Sequence, residues 1–222
     1  MYGRKQGLLD LDNPIAHVEW RSAHAYQHAQ LLNTIDVARR MKVIDRTSIK
    51  GKCDYALLLV ALSTGRRVVE LANLWRADLY VSAMQLMTIT FQRTKGGKTA
   101  SDTLSSAVRH VLIEYLYAAY DADFLNCPID APIWGSFNDR NQGQAIGVQT
   151  IADICERRLG TSKVHALRHT YAHMMQADGA ASSVIQAKLG HESLVTTGRY
   201  LAALTRADDP HADALARALG IE

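Results

Sequence analysis

Cysteine and proline are scarce in this chain of 222 residues, which contains three cysteines and four prolines. Cys53, Cys127 and Cys155 lie far apart and form no C-x-x-C pair, so the sequence predicts neither a disulfide framework nor a zinc site. We expect three reduced and largely buried thiols. The longest apolar run, residues 55–62, is too short to span a membrane, and no N-terminal signal is visible. These absences favour a soluble, cytoplasmic protein without a membrane partner.

Charge of one sign is also limited, because the formal net charge is only +3. That value alone does not indicate nucleic-acid binding, but its distribution is more informative. Basic side chains outnumber acidic ones between residues 66 and 109, whereas residues 121–130 and the C-terminus are acidic. The sequence therefore predicts a local positive field on an ordinary globular protein, whose hydrophobic content of 48 % allows a sizeable core.

Helical periodicity predominates along the chain. Apolar residues recur at helical spacing over residues 18–41, and Thr47 or Ser48 can cap a second helix that ends at Gly65. That second helix is apolar nearly all round, which predicts a position at the centre of the core. Further helices are predicted in residues 66–79, 106–120, 148–159, three times within 164–201, and as an amphipathic tail at 210–220, with a loop over 121–144.

Residues 79–105 change to the alternating pattern of β-strands. The run LYVSAMQLMTITFQR alternates, TKGG is typical of a turn, and KTASDTLS provides a polar partner strand, with Lys95 and Lys98 at the hairpin tip. The predicted fold class is therefore mainly α with a small antiparallel β-sheet (α+β). Residues 1–17 have little periodicity and are interpreted as a flexible leader or interdomain linker before a domain of residues 18–222.

Residues 164–201 contain four side chains suited to chemistry: His165, Arg168, His191 and Tyr200. His165 and Arg168 are three residues apart, so on a helix they project from the same face. Gly179 and Gly190 stand where helices favour their C-terminal glycine, and Ser193 can cap a third short helix that carries Tyr200. An anion is the expected ligand, because the planar guanidinium of arginine matches the geometry of phosphate.

Several motifs occur here in an order that resembles the catalytic domain of the tyrosine recombinases, the phage integrase family. T-G-x-R-x-x-E-L occurs at residues 64–71 as TGRRVVEL, and H-x-L-R-H occurs at residues 165–169 as HALRH. L-G-H followed by T-T-x-x-Y occurs at residues 189–200, and the family's hairpin lysine maps onto Lys95 in TKGGK. The resemblance covers about residues 43–201 and implies the tyrosine recombinase/integrase catalytic-domain fold.

What the resemblance implies is a site-specific DNA recombinase that cleaves and rejoins strands through a 3′-phosphotyrosine intermediate, without a metal or other cofactor. Arg67 and Arg168 are then expected to hold the two non-bridging oxygens of the phosphate, and His191 to donate a further hydrogen bond. Tyr200 is the expected nucleophile. His165 is the expected base, Lys95 the proton donor to the leaving 5′-oxygen, and Glu70 a supporting acid.

Double-stranded DNA is the partner that the resemblance implies. Basic residues near the motifs are candidates for contacts with its backbone: Arg66, Arg93, Lys98, Lys163 and Arg199. Self-association into a tetrameric synapse on DNA is expected through the helix at residues 210–220, although this helix can equally pack on its own domain. His169 and His173 are interpreted as structural or solvated rather than catalytic.

Two other functions remain open at this point. A type IB topoisomerase uses the same active-site chemistry, and a catalytically silent DNA-binding protein can share the fold. The helical core-binding domain that usually precedes the catalytic domain in this family is expected to be absent here. We expect either a fragment of a longer recombinase or one of the shorter members, and NPIAHVEW resembles an interdomain linker, which favours the fragment.

Overall fold

A computed structural model describes residues 31–92 and 99–190 of the chain. Within these residues the chain forms helices and three strands: α1 (Thr34–Lys42), α2 (Ile49–Thr64), α3 (Val68–Ala72), β1 (Leu79–Val81), β2 (Met87–Phe91), β3 (Ala100–Leu104), α4 (Ser106–Tyr120), α5 (Val148–Leu159), α6 (His165–Ala177) and α7 (Ser182–Leu189). The predicted mainly α architecture with a small antiparallel sheet is confirmed. None of the helices in these residues has the length and apolar character that a membrane span requires.

Helix α2 lies at the centre of the core, as predicted. Ser48 caps it by accepting the backbone N–H of Gly51 at 3.1 Å, and helices α4, α5 and α6 pack around it. Leu57 and Leu58 are completely buried. The one charged group on this buried surface, Asp54, is neutralised by the two arginines at the end of α5 at 2.8 and 3.2 Å. An all-round apolar helix thus packs on every side.

Helix α1 is shorter than its apolar periodicity predicts. It begins at Thr34, because the side chain of Asn33 accepts two backbone N–H groups of the first turn at 2.9 and 3.1 Å. Leu31 and Leu32 precede this cap and are not helical, so the prediction of one continuous helix across them was wrong. An asparagine side chain that accepts from the backbone of the first turn fixes where a helix begins, even when the apolar periodicity continues before it.

The sheet has three antiparallel strands in the order β1-β2-β3. A single alternating strand over residues 79–93 was predicted, but a turn interrupts it, where Ser82 and Leu86 are joined by a backbone hydrogen bond of 2.9 Å. Gln85 adopts a φ of +61° in that turn. The turn contains no glycine or proline, and the apolar–polar alternation of the strands continues through it, so no signal in the sequence marked a turn. The predicted hairpin tip with Lys95 and Lys98 lies outside the described residues.

An irregular segment was predicted over residues 121–144 and extends over residues 121–147, yet it contributes to the core. Trp134 and Ile133 are each 1 % exposed, and the Trp134 ring stacks on Tyr115 of α4 with a centroid distance of 5.8 Å. Isolated β-bridges pair Trp75 with Pro132 and Gly135 with Ala145. The segment is therefore held against the sheet and α4 without a helix of its own.

The three cysteines are buried and unpaired with one another, as predicted. Burial raises the pKa of Cys53 and of Cys155 to about 12, and it raises the pKa of Cys127 as well. Such thiols are protonated near neutral pH and have little nucleophilic character.

Helix α6 carries the second motif, and helix α7 ends at Leu189, where the third motif begins. Gly179 lies just after α6 and Gly190 caps the end of α7, with φ values of +85° and +60°. Both positions confirm the predicted helix ends. Ala172, Ile185 and Leu189 form a small apolar cluster between the two helices. The predicted helices that carry Tyr200 and residues 210–220 lie outside the described residues.

Candidate active site

Arg67 and Glu70 form a compact unit at the start of α3. The backbone N–H of Arg67 donates to Glu70 Oε2 at 2.9 Å, and Arg67 Nη1 donates to Glu70 Oε1 at 3.0 Å. The Glu70 side chain is 4 % exposed, whereas that of Arg67 is 27 % exposed. Glu70 therefore fixes both the helix start and the direction of a guanidinium that remains accessible to a ligand.

Arg168 lies on α6 and is 2 % exposed. Its Nη1 donates to the backbone carbonyl of Gly65 at 2.8 Å, and its Nη2 donates to the carbonyl of Leu189. Gly65 belongs to the turn that carries Arg67, and Leu189 is the last residue of α7. One buried guanidinium therefore connects all three motif regions.

His165 opens α6 and retains an exposed surface. Surrounding protein atoms lower its pKa mainly through burial, and the positive charges of Arg168 and Arg67 lower it further. The ring also contacts His169 edge-on, with a centroid distance of 5.1 Å. A lowered pKa keeps this imidazole neutral near pH 7, which is the form that can accept a proton.

The turn that carries Arg67 lies against the helix that carries His165 and Arg168. Arg67 and Arg168 both act on the same imidazole, and Arg168 is bonded to Gly65, two residues before Arg67. Such a group of two guanidiniums beside a neutral imidazole can bind an anion and accept a proton from a group next to it. Among the described residues, the turn that carries Arg67 thus contacts α6, which carries His165 and Arg168. That all three act on one phosphate stays a prediction.

Arg66 does not occupy the position that was predicted for it. A contact with the DNA backbone was expected, but Arg66 is 6 % exposed, and its Nε donates to Asp102 Oδ2 at 2.7 Å. Its guanidinium also lies over the ring of Phe91, 4.9 Å from the centroid. The expectation is corrected for a physical reason: an acidic partner on β3 and an aromatic face hold this side chain inside the protein.

Gly65 is required at the turn before the two arginines for two reasons. Its φ of +60° is unfavourable for residues with a side chain, and a Cβ at this position would lie 2.2 Å from Cδ1 of Tyr171. Tyr171 is half-buried, and this burial raises its pKa. The α2–α3 turn is thus seated directly on the ring of an α6 side chain, which keeps Arg67 close to α6.

Of the remaining predicted site residues, the structure describes only Lys163. Lys163 is exposed just before α6, two residues from His165, where it is accessible to a polyanion. The others fall outside residues 31–92 and 99–190: Arg93, Lys95, Lys98, His191, Arg199 and Tyr200. In the described part of the chain, no group of three or more His, Cys, Asp or Glu side chains is arranged to hold a metal ion.

Two residues near the site were not found from the sequence. Asp102 accepts from Arg66, and its other carboxylate oxygen accepts from Lys188 Nζ at 3.0 Å. The only available signal was the strand alternation that turns Asp102 and Leu104 to the buried face of β3. Lys188 stands in the last turn of α7, where a cation is common for helix-dipole reasons alone, so its role could not be inferred.

Comparison with known proteins gives the same assignment as the motifs. The chain is 30 % identical over 167 residues to tyrosine recombinase XerC of Staphylococcus aureus (strain JH9), which covers 72 % of this chain and 52 % of that relative. It thus spans about half the length of the curated relatives that it matches.

Solved structures share the fold. The XerH site-specific recombinase bound to difH substrate in a pre-cleavage complex matches with a TM-score of 0.61 and 20 % identity, covering 85 % of this chain and 52 % of that one. The catalytic domain of bacteriophage HP1 integrase matches with a TM-score of 0.52 and 19 % identity, covering 84 % and 92 %. The fold is therefore that of tyrosine recombinase catalytic domains. The model of the phage integrase family matches residues 27–206, and the chain belongs to that family.

Proposed function

We propose that this chain carries the catalytic chemistry of a site-specific DNA recombinase, which cleaves and rejoins DNA strands through a 3′-phosphotyrosine intermediate. The observation that supports this most directly is the hydrogen bond from Arg168 to the Gly65 carbonyl at 2.8 Å, because it seats the turn that carries Arg67 against the helix that carries His165 and Arg168. A phosphodiester is a poor electrophile until its oxygens are neutralised, and fixed guanidiniums supply that neutralisation without a metal ion. The catalytic domain is assigned to residues 18–222, with residues 1–17 as a linker.

In the proposed reaction, Tyr200 Oη attacks the phosphorus and the bond to the 5′-oxygen breaks. A phosphodiester is replaced by a phosphotyrosine ester, so the energy of the bond is retained for rejoining by a 5′-hydroxyl. His165 accepts the phenolic proton, Lys95 donates a proton to the leaving 5′-oxygen, and His191 donates a hydrogen bond to a non-bridging oxygen. Every proton that is removed is returned in the reverse step.

The two arginines have unequal parts in this proposal. Arg67 has the accessible guanidinium, so it makes the first contact with the phosphate, while Glu70 keeps it aimed. Arg168, at 2 % exposure, binds the second non-bridging oxygen from beneath and keeps the turn at Gly65 and the end of α7 together. Lys163 and the basic residues at 93, 98 and 199 are proposed to bind the DNA backbone around the site.

A nicked suicide substrate tests this function. The nick lets the fragment beyond the cleaved phosphate diffuse away, so a covalent protein–DNA product accumulates. The unaltered chain and a Tyr117→Phe control, which changes an exposed tyrosine on α4, should both form this product. Tyr200→Phe should form none. A covalent product that persists in Tyr200→Phe contradicts the proposed nucleophile.

Double-stranded DNA is the proposed partner, and self-association on DNA is proposed to depend on residues 210–220. Removal of that segment should leave the covalent product with a nicked substrate intact, while recombination between two sites is lost. Relaxation of supercoils without recombination would instead favour the topoisomerase activity. Loss of the covalent product after the truncation would contradict the separation of these roles.

A further inference from the structure

Asp102 of β3 is the centre of a buried ion cluster that the proposed chemistry does not use. Its Oδ2 accepts from Arg66 Nε at 2.7 Å, and its Oδ1 accepts from Lys188 Nζ at 3.0 Å. The side chains of Asp102 and Arg66 are each 5 % exposed, and that of Lys188 is 42 % exposed. Removing the Asp102 carboxylate leaves the buried Arg66 guanidinium without its partner, which is costly.

The same two chain segments are joined a second time, by Arg168. Asp102 joins the side chains of Arg66 and Lys188, while Arg168 donates to the carbonyls of Gly65 and Leu189. Gly65 immediately precedes Arg66, and Leu189 immediately follows Lys188. The segments 65–66 and 188–189 are therefore bridged by a carboxylate at one residue pair and by a guanidinium at the adjacent pair.

This double bridge links the separation of the two segments to the orientation of Arg168. The Gly65 carbonyl belongs to the planar peptide unit that joins Gly65 to Arg66, and Leu189 follows Lys188 in the last turn of α7, so a shift of the Arg66 or Lys188 backbone also moves the neighbouring carbonyl. Arg168 is almost completely enclosed, and the carbonyls of Gly65 and Leu189 are two of the groups that hold its guanidinium. We propose that Asp102 is a positioning residue, which sets the spacing of segments 65–66 and 188–189 and thereby aims the Arg168 guanidinium at the scissile phosphate.

The inference rests on the proposed recombinase function, and the protein contains a matched control for it. Asp54 on α2 is also a buried carboxylate held by two cations, Arg157 and Arg158, but it does not bridge the two segments. It lies roughly 15 Å along the helix axis from Thr64. A general cost of losing a buried ion pair should therefore appear in Asp54→Asn as well, whereas a loss of positioning should not.

The first test compares Asp102→Asn with Asp54→Asn in the full chain, using a nicked duplex at saturating concentration. Both variants should unfold at a lower temperature. The first-order rate constant of covalent product formation should fall roughly 10- to 100-fold in Asp102→Asn, because displacement of a catalytic group by about 1 Å has effects of that size. It should stay within about twofold in Asp54→Asn. DNA affinity should be unchanged or tighter in Asp102→Asn, since a negative charge near the site is removed.

An equal rate constant for Asp102→Asn and the unaltered chain overturns the inference while leaving the proposed function intact. Absence of covalent product in the unaltered chain overturns the proposed function instead. Amide hydrogen exchange tests the double bridge without catalysis: peptides 61–68 and 183–190 should exchange faster in Asp102→Asn and not in Asp54→Asn. Unchanged exchange in both peptides contradicts the bridge.

A milder variant covers the case in which Asp102→Asn does not fold. Lys188→Gln leaves the Arg66–Asp102 pair intact and removes only the partly exposed arm of the cluster. It should lower the rate constant in the same direction but by less, and Lys188→Arg, which keeps the charge, should restore it. A rate constant and an exchange pattern that are both unaffected by Lys188→Gln contradict the proposal.

Discussion

Glu70→Gln is a direct test of how the exposed arginine of the site is held. The Glu70 carboxylate is 4 % exposed and accepts from both the backbone and the guanidinium of Arg67, at 2.9 and 3.0 Å. Glutamine has nearly the same shape but offers one carbonyl oxygen and no charge. The substitution therefore removes at least one charge-assisted hydrogen bond without creating a cavity.

The expected size of the effect follows from these contacts. A hydrogen bond to a charged group contributes about 1.5–3 kcal/mol, and Arg67 is partly exposed, so water compensates for some of the loss. We expect a decrease in the free energy of unfolding of about 1–2 kcal/mol. For a domain of this size, that corresponds to a decrease in Tm of roughly 2–8 °C. Because Arg67 loses its orientation, the cleavage rate constant should fall by a further factor of about 10–100.

Thermal unfolding by circular dichroism and single-turnover cleavage of a nicked duplex measure the two effects separately. Glu114→Gln is the matched control, because Glu114 pairs with Lys52 on the surface and its side chain is 43 % exposed. An exposed pair of this kind contributes less than about 1 kcal/mol, and it joins α2 to α4. If Glu70→Gln and Glu114→Gln behave alike in both assays, the role assigned to Glu70 is wrong.

Four further predictions concern His165, Gly65 and the buried cysteines. Because the pKa of His165 is lowered, its neutral form persists to a pH below the ordinary histidine range. The acid limb of the pH profile of the cleavage rate should therefore lie below about pH 6.5. This limb should vanish in His165→Gln. The lowered pKa also means that the unfolded chain binds a proton at His165 more readily than the folded protein does. His165 should therefore decrease the free energy of unfolding as the pH falls from about 6.5 towards the folded pKa. Unfolding measured as a function of pH should not show this decrease in His165→Gln. Gly65→Ala should lower the free energy of unfolding by more than Gly143→Ala, because both glycines have positive φ but only Gly65 faces a side chain, at 2.2 Å; equal losses in denaturant unfolding would contradict this. Cys53 and Cys155, with pKa values raised to about 12, should resist iodoacetamide in the native protein and react after denaturation, and rapid native labelling would contradict their burial.

Features that depend on neighbouring residues could be predicted from the sequence. Ser48 caps α2 and Gly65 ends it, because a side-chain oxygen and a left-handed φ act over a few residues. The pairing of Arg67 with Glu70 follows from their spacing of three in the family motif. Asn33 shows the limit of this reasoning, because its cap competes with a strong apolar pattern that continues before it.

Features that depend on residues far apart in sequence could not be predicted. Arg66 and Arg67 are identical side chains at adjacent positions, yet one is buried against Asp102 and the other points outward. Which of them turns inward depends on β3 and Phe91, which lie about 25 to 36 residues away in a pairing that local patterns do not encode. The two carbonyls that accept from Arg168 could not be predicted either, because every residue has a carbonyl and nothing in the sequence distinguishes these two.

The central claim is that two guanidiniums and the phenol of Tyr200 act on one DNA phosphate. The covalent product formed with a nicked duplex can be digested with nuclease and trypsin, and the modified peptide identified by tandem mass spectrometry. The account predicts a nucleotide joined through its 3′-phosphate to Tyr200, with the yield reduced in Arg67→Ala and Arg168→Ala. A nucleotide attached to a different residue, or an undiminished yield in both arginine variants, would contradict it.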